Sequence, residues 1–326
     1  MRTDRILVAG ETLVDLFPDG PGDLAAVDGF VHRAGGAPAN VAAGLARLDS
    51  PPELWTRLGD DAFGAYLRDK LGDRGLDGAF VVEGDAATAL TVVSPTPEGD
   101  RSFSFYEADT ATLAFETGTV PDSALAAFDC VHLGGVALAD DAGREATIDL
   151  AERARDAGCL VSFDPNARPD LWDDPADADG AIRDALGLAD LLFCSPDDLR
   201  PLGLAERARS DAEGVATDLL DYGPDTVFLT RGGAGATVAA DLPSCERVAR
   251  SEPAFDVTVV DTTGAGDAFT AGALAAYEPG MGASGLADVL RYANATAALA
   301  TTETGGMAAL PDADAVRALL DAPESA

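Results

Sequence analysis

Residues 257–269, VTVVDTTGAGDAF, set a carboxylate directly behind a glycine-rich turn. Gly264 and Gly266 let the chain turn tightly and let backbone N–H groups approach an anion, and an apolar helix starting there adds its positive end. Such a nest suits phosphate. Asp267, in the first turn of that helix, is a poor phosphate ligand but a suitable base for a proton leaving an attacking hydroxyl. The competing reading is that Asp267 only complements the helix dipole. Two familiar phosphate motifs fail: no Lys follows the glycines, as a P-loop requires, and Phe269 stands where a dinucleotide fingerprint needs a small residue.

Other segments offer groups for a polar ligand. In GGAPANVA, residues 35–42, Gly35 and Gly36 permit close approach, and Asn40 presents both a donor and an acceptor to a hydroxyl; Pro38 is equally suited to starting a helix. Asp15 can accept from two hydroxyls, but as one acid among many, read as exposed, it carries little weight alone. Residues 163–168, FDPNAR, bring Asn166 and Arg168 to the end of an apolar run, where Arg168 could meet phosphate or hydroxyl oxygens or simply follow a proline turn. Ser195 to Asp198 and Thr230 to Gly235 follow the next two runs, where such sheets place nucleotide contacts. His32 and His132 are isolated and have no metal-ligand spacing, so no structural zinc is expected.

These residues need a scaffold. Apolar runs at 6–9, 53–56, 130–133, 160–163, 191–194, 226–229 and 257–260 alternate with amphipathic stretches at 39–48, 61–71, 144–157 and 212–220. Alternation of β and α predicts a doubly wound, mostly parallel sheet with helices on both faces, binding ligands at the carboxyl ends of its strands. Residues 11–33 and 87–116 break the pattern with period-two runs, which predicts a small β lid; residues 1–10, 34–86 and 117–326 then form the α/β body.

Composition narrows the partners. There are 57 Asp and Glu against 22 Lys and Arg, a net charge of −35, with one lysine, Lys70. Self-repulsion on that scale argues against duplex nucleic acid and anionic membranes, while 47% hydrophobic residues argue against disorder. The Asp-rich, Lys-poor surface suggests a halophile's concentrated salt, where the Debye length falls to about 3 Å. Cys130, Cys159, Cys194 and Cys245 lack metal or redox spacing, and no signal-peptide or membrane-length apolar run occurs, so a cytoplasmic protein with reduced thiols is expected.

Taken together and in order, AGGAPANVAAGLARL, LGDDAFG and DTTGAGDAF resemble the signatures of the PfkB carbohydrate kinases, the ribokinase-like family. The resemblance implies transfer of the γ-phosphoryl of ATP to a sugar hydroxyl with Mg²⁺. It makes Asp267 the base and the amides of Gly264, Ala265 and Gly266 an anion hole, with Arg168 near the transferred group. Asp15, Gly35, Gly36, Asn40 and Asn166 would hold the sugar, with the lid residues Arg101, Phe103 and Tyr106 setting specificity. Ser195, Asp198, Thr230, Gly232, Gly235 and Asn294 would line the nucleotide site, and Asp261 and Thr263 fall where relatives bind K⁺. Ser195 and Asp198 depart from the family's N-x-x-E, losing an amide and shortening the acidic arm. GETLVDLFP, FDPNARPDLW and RSFSFYEADTATL look most like fructokinases, ahead of 2-keto-3-deoxygluconate kinases and then ribokinases or nucleoside kinases. The lid strands, with Phe103, Phe105 and Tyr106, are expected to pair two copies as a homodimer.

Overall fold

In the computed structural model, residues 5–20, 24–95, 101–107, 109–172, 174–244 and 246–322 are described. Strands β1 (Ile6–Ala9), β4 (Glu53–Gly59), β5 (Val81–Gly84), β8 (Cys130–Gly134), β9 (Leu160–Asp164), β10 (Leu191–Cys194) and β11 (Thr226–Thr230) pair in parallel in the order β5-β4-β1-β8-β9-β10-β11. Two antiparallel strands, β12 (Ala236–Asp241) and β13 (Arg247–Glu252), extend the sheet beyond β11. From β1 the chain builds outward to β4 on one side and later to β8 on the other, so a crevice opens at the carboxyl ends of β1 and β8. Among the described residues this is a doubly wound α/β sheet.

Period two along the strands divides their side chains between two cores. Ile6, Val8, Phe193 and Phe228 face helices α1 (Ala37–Arg47), α2 (Ala62–Gly72), α8 (Ala265–Ala276), α9 (Ala283–Ala300) and α10 (Ala313–Asp321). Leu7, Ala9, Val161 and Phe163 face α4 (Asp141–Asp156), α5 (Pro175–Leu186), α6 (Ala205–Ser210) and α7 (Ala212–Leu219), with the short α3 (Asp122–Leu125) alongside. A second sheet, β3-β2-β6-β7, comprises β2 (Leu13–Pro18), β3 (Phe30–Gly35), β6 (Leu90–Pro95) and β7 (Arg101–Tyr106). It projects over the strand ends. The Asp61 carboxylate caps α2 through the Gly64 N–H (2.8 Å) and also accepts from the N–H and hydroxyl of Thr88 (2.8 Å each), which ties α2 to the chain entering β6.

One expected strand is absent. Residues 257–260 form irregular chain, with Val259 and Val260 59% and 56% exposed. The Val260 N–H bonds to the Thr301 carbonyl after α9 (2.8 Å), and Val257 and Val259 wall a cavity. A four-residue apolar run has too little periodicity to distinguish these outcomes.

An aromatic stack links this sheet to the site. Phe228 lies flat on Phe193 (centroids 5.0 Å apart) and meets Phe269 of α8 edge-on at 6.2 Å, and all three rings are buried. Phe228→Ala is expected to cost about 3–5 kcal/mol in urea unfolding, because the rings on both sides cannot collapse into the void.

Candidate active site

Asp267 is positioned by two helices from opposite ends of the chain. Helices α1 and α8 cross so closely that a Cβ on Gly44 would lie 2.7 Å from Ala271 Cβ. This approach brings Asn40 Nδ2 within 2.7 Å of Asp267 Oδ2, to which it donates a hydrogen bond. Burial pushes the Asp267 carboxyl up to about 6, while the Asn40 hydrogen bond and the Arg168 charge restrain the rise. A carboxylate so tuned is ionised at neutral pH and still basic enough to take a proton.

The glycine turn before it is built as expected, with one correction. Gly264 is the N-cap of α8 in the left-handed region (φ 77°), and its Cα faces Gly306 so tightly that a Cβ would meet Gly306 Cα at 2.7 Å. The Ala265 N–H is spent on Thr262 O (3.2 Å), so it is not a free member of an anion hole. The N–H groups of Gly266 and Asp267 lie in the first turn, which no earlier helical carbonyl can reach.

A cleft of about 330 Å³ gathers Asp15, Gly36, Asn40, Asn166, Arg168, Ser195, Asp198, Thr230, Gly264, Gly266 and Asp267. Asp15 is buried rather than exposed, and burial together with the charges of Asp267 and Glu107 pushes it up to about 7. Gly35 does not line the cleft; a Cβ there would sit 2.1 Å from Asp15 Oδ2, so its bareness makes room for that carboxylate. Asn166 adopts φ 42°, its N–H donates to Asp164 Oδ1 (3.1 Å), and its own Oδ1 accepts from Arg168 Nη2 (2.8 Å). Arg168 also lies over the Phe105 ring at 5.7 Å.

The lid contributes differently from expectation. Tyr106 is 63% exposed and off the cleft, because strand alternation turns its neighbours Phe105 and Glu107 inward instead. The side chains of Arg101 and Phe103 lie outside the described residues, as does Cys245, whereas Cys130, Cys159 and Cys194 are free and buried.

A second cavity of about 380 Å³ adjoins the first and shares Ser195, Thr230 and Gly266 with it. Its walls include Gly232, Gly235, Phe255, Val257, Val259 and Asn294. Asn294 is buried and donates to the carbonyls of Glu252 (3.3 Å) and Pro253 (3.2 Å), which fixes the rim. Asp198 accepts from the Ala167 N–H (3.1 Å) and from the N–H and hydroxyl of Ser195 (2.8 and 2.6 Å). The Ser195/Asp198 pair is thus a loop clamp at the junction of the two cavities. Asp261 is buried under the glycine turn and accepts from the Thr263 and Gly305 N–H groups (2.9 Å each), while the buried Thr263 Oγ1 has no partner among the described residues.

Sequence reasoning missed four cleft carboxylates: Glu11, Glu107, Asp164 and Asp197. Glu11 follows β1 and Asp164 ends β9, so their places at strand ends were a usable signal; Glu107, beyond a lid strand, gave none. Burial and the neighbouring Asp198 and Asp267 charges hold Asp164 well above the carboxylate range.

The pfkB family carbohydrate kinase model matches residues 3–313. The chain belongs to this family. A fructokinase of Klebsiella pneumoniae is 36% identical over 318 residues, covering 95% of this chain and 97% of the relative. The fructokinase of Xylella fastidiosa with bound ATP superposes with a TM-score of 0.85 at 30% identity, over 98% of each chain. A double mutant of the Vibrio cholerae O395 fructokinase, with fructose, ADP and potassium ion bound, gives 0.84 at 30%, covering 98% of this chain and 99% of that one. This kinase is therefore a phosphotransferase of the ribokinase-like fold. Because a Cβ at Gly264 meets backbone, Gly264→Ala is expected to cost about 1–3 kcal/mol in thermal unfolding and to weaken ATP binding measured by calorimetry.

Proposed function

We propose that this kinase transfers the γ-phosphoryl group of ATP to a hydroxyl of fructose. The observation that carries the reading is the placement of Asp267 in the carboxylate-lined cleft beside Gly266, which is shared with the apolar cavity. The family membership and the fructokinase relatives support the same assignment.

In this reading the sugar lies in the first cavity, held by Asp15, Asn40 and Asn166 beside the backbone of Gly36. Adenosine occupies the second, between Phe255, Val257 and Asn294, with its phosphates running toward the first turn of α8. Asp267 takes the proton of the attacking hydroxyl, and Asn40 keeps the carboxylate ionised and oriented. The first-turn amides and Arg168 oppose the charge that develops on the transferring group. No group of three or more His, Cys, Asp or Glu among the described residues is arranged to hold a metal directly. Mg²⁺ would therefore arrive on the ATP phosphates, with Asp164 and Asp198 as the nearby acidic partners, and would neutralise phosphate charge. The unpartnered Thr263 hydroxyl beside Asp261 suits a K⁺ ion.

A homodimer is supported by the apolar side chains that the lid presents to solvent: Phe30 (45% exposed) and Val31 (47%) on one edge strand and Tyr106 on the other. No described helix is long and apolar enough to cross a membrane.

Asp267→Asn is expected to lower kcat by about 10²–10⁴-fold while ATP still binds in calorimetry; near wild-type turnover would remove the residue from its role. Since only the ionised carboxylate accepts a proton, kcat should rise with pH through about 6, the value to which burial lifts Asp267. Asn40→Leu removes a bond that favours the ionised form, so this limb should move to higher pH. At equal ionic strength, KCl should support faster turnover than NaCl, and Thr263→Val should abolish the difference.

A further inference from the structure

Besides Asn40 Oδ1, three buried polar atoms at the sugar end have no hydrogen-bond partner among the described residues: Glu11 Oε2, Thr91 Oγ1 and Glu107 Oε2. Their residues are 3%, 1% and 1% exposed, and all three line the 330 Å³ cleft. The two glutamate oxygens approach from different bodies. Glu11 lies two residues beyond β1 of the large sheet and accepts the Ala37 N–H on its other oxygen (3.0 Å), whereas Glu107 directly follows β7 of the lid. Burying an unpaired acceptor is costly unless a ligand completes it.

The charge balance decides which ligand. Arg168 is the one cation lining the cleft among the described residues, and its positive charge already acts on Glu11, Asp15, Glu107, Asp164 and Asp267. A sugar carboxylate entering here would bring a further negative charge into a carboxylate-lined cleft and would find no unclaimed cation. A neutral polyol brings O–H donors that complete the orphaned oxygens.

Resting on the sugar-kinase reading above, we propose that Glu11 and Glu107 are specificity residues that together grip the hydroxyls of a neutral sugar and exclude sugar acids. The gap between the two glutamates spans body and lid, so a sugar that satisfies both also bridges them. Burial and the Glu107 charge lift Glu11 to about 8, and burial lifts Glu107 to about 7 against the pull of Arg168. At neutral pH the pair therefore retains a proton, which lets it donate as well as accept.

The test compares neutral sugars (fructose, ribose, adenosine) with sugar acids (2-keto-3-deoxygluconate, gluconate) by ADP release with ATP, and by calorimetric binding without it. The wild type is expected to favour its best neutral sugar over either acid by about 100-fold or more in kcat/KM. In Glu11→Gln and Glu107→Gln, KM for that sugar should rise about tenfold, more than kcat falls, and the gap to the acids should narrow. A sugar acid used as well as the best neutral sugar, no binding of any neutral sugar, or unchanged KM in both folded variants would overturn the proposal. If the best neutral sugar is not fructose, the fructose assignment falls and this one stands. The wild-type comparison, and Thr91→Val with its expected rise in KM, decide the matter if a glutamine variant does not fold.

Discussion

Carboxylates crowd one guanidinium at the centre of this molecule. The Arg168 charge acts on Glu11, Asp15, Glu107, Asp164 and Asp267, and burial nonetheless holds each of them above the ordinary carboxylate range. Such a cluster persists only if the surrounding structure holds it together. The parallel sheet brings Glu11 and Asp164 to strand ends, the lid delivers Asp15 and Glu107, and α8 supplies Asp267. Asn166, in its left-handed conformation, holds the guanidinium by its Oδ1 while Phe105 lies beneath it. The strain at Asn166 is thus borne where one cation must face several anions.

The adjoining cavity has the opposite character. Its lining contains no charged side chain among the described residues, only glycine, small polar and apolar groups. A protein with net charge −35 therefore keeps its acids off this lining altogether. The positive end of α8 stands between the two environments, with Asp267 in its first turn turned toward the cleft. Global charge and local electrostatics are separated by fold, which is why the former says little about the ligand.

Much of the architecture was legible in the sequence because buried parallel strands read as short apolar runs at regular intervals. Runs at 6–9, 53–56, 130–133, 160–163, 191–194 and 226–229 fall in β1, β4, β8, β9, β10 and β11. The run at 257–260 failed because a cavity wall and a strand use the same residue types. The positions of Asp267, Asn40 and Arg168 were legible from their glycine-rich or strand-end settings. What could not be read was which side chains turn inward. Asp15 is one of many acids until Gly35 is seen clearing space for it, and Tyr106 is no more conspicuous than Phe105 until the lid's alternation is fixed. The Ser195/Asp198 pair likewise shows its clamping role only through three hydrogen bonds to loop atoms.

The bond between Asn40 and Asp267 joins residues 227 positions apart. A chain emerging from the ribosome has made α1 long before α8 exists. The apolar face of α1, with Val41, Ala42 and Leu45, has to wait uncovered or in temporary company until the last third of the protein is synthesised. Long-range closure of this kind slows folding and prolongs exposure of apolar surface. It also makes competence all-or-none along the direction of synthesis: a chain stopped before residue 267 has sugar-facing groups but no Asp267, so the catalytic centre cannot assemble until α8 has been made.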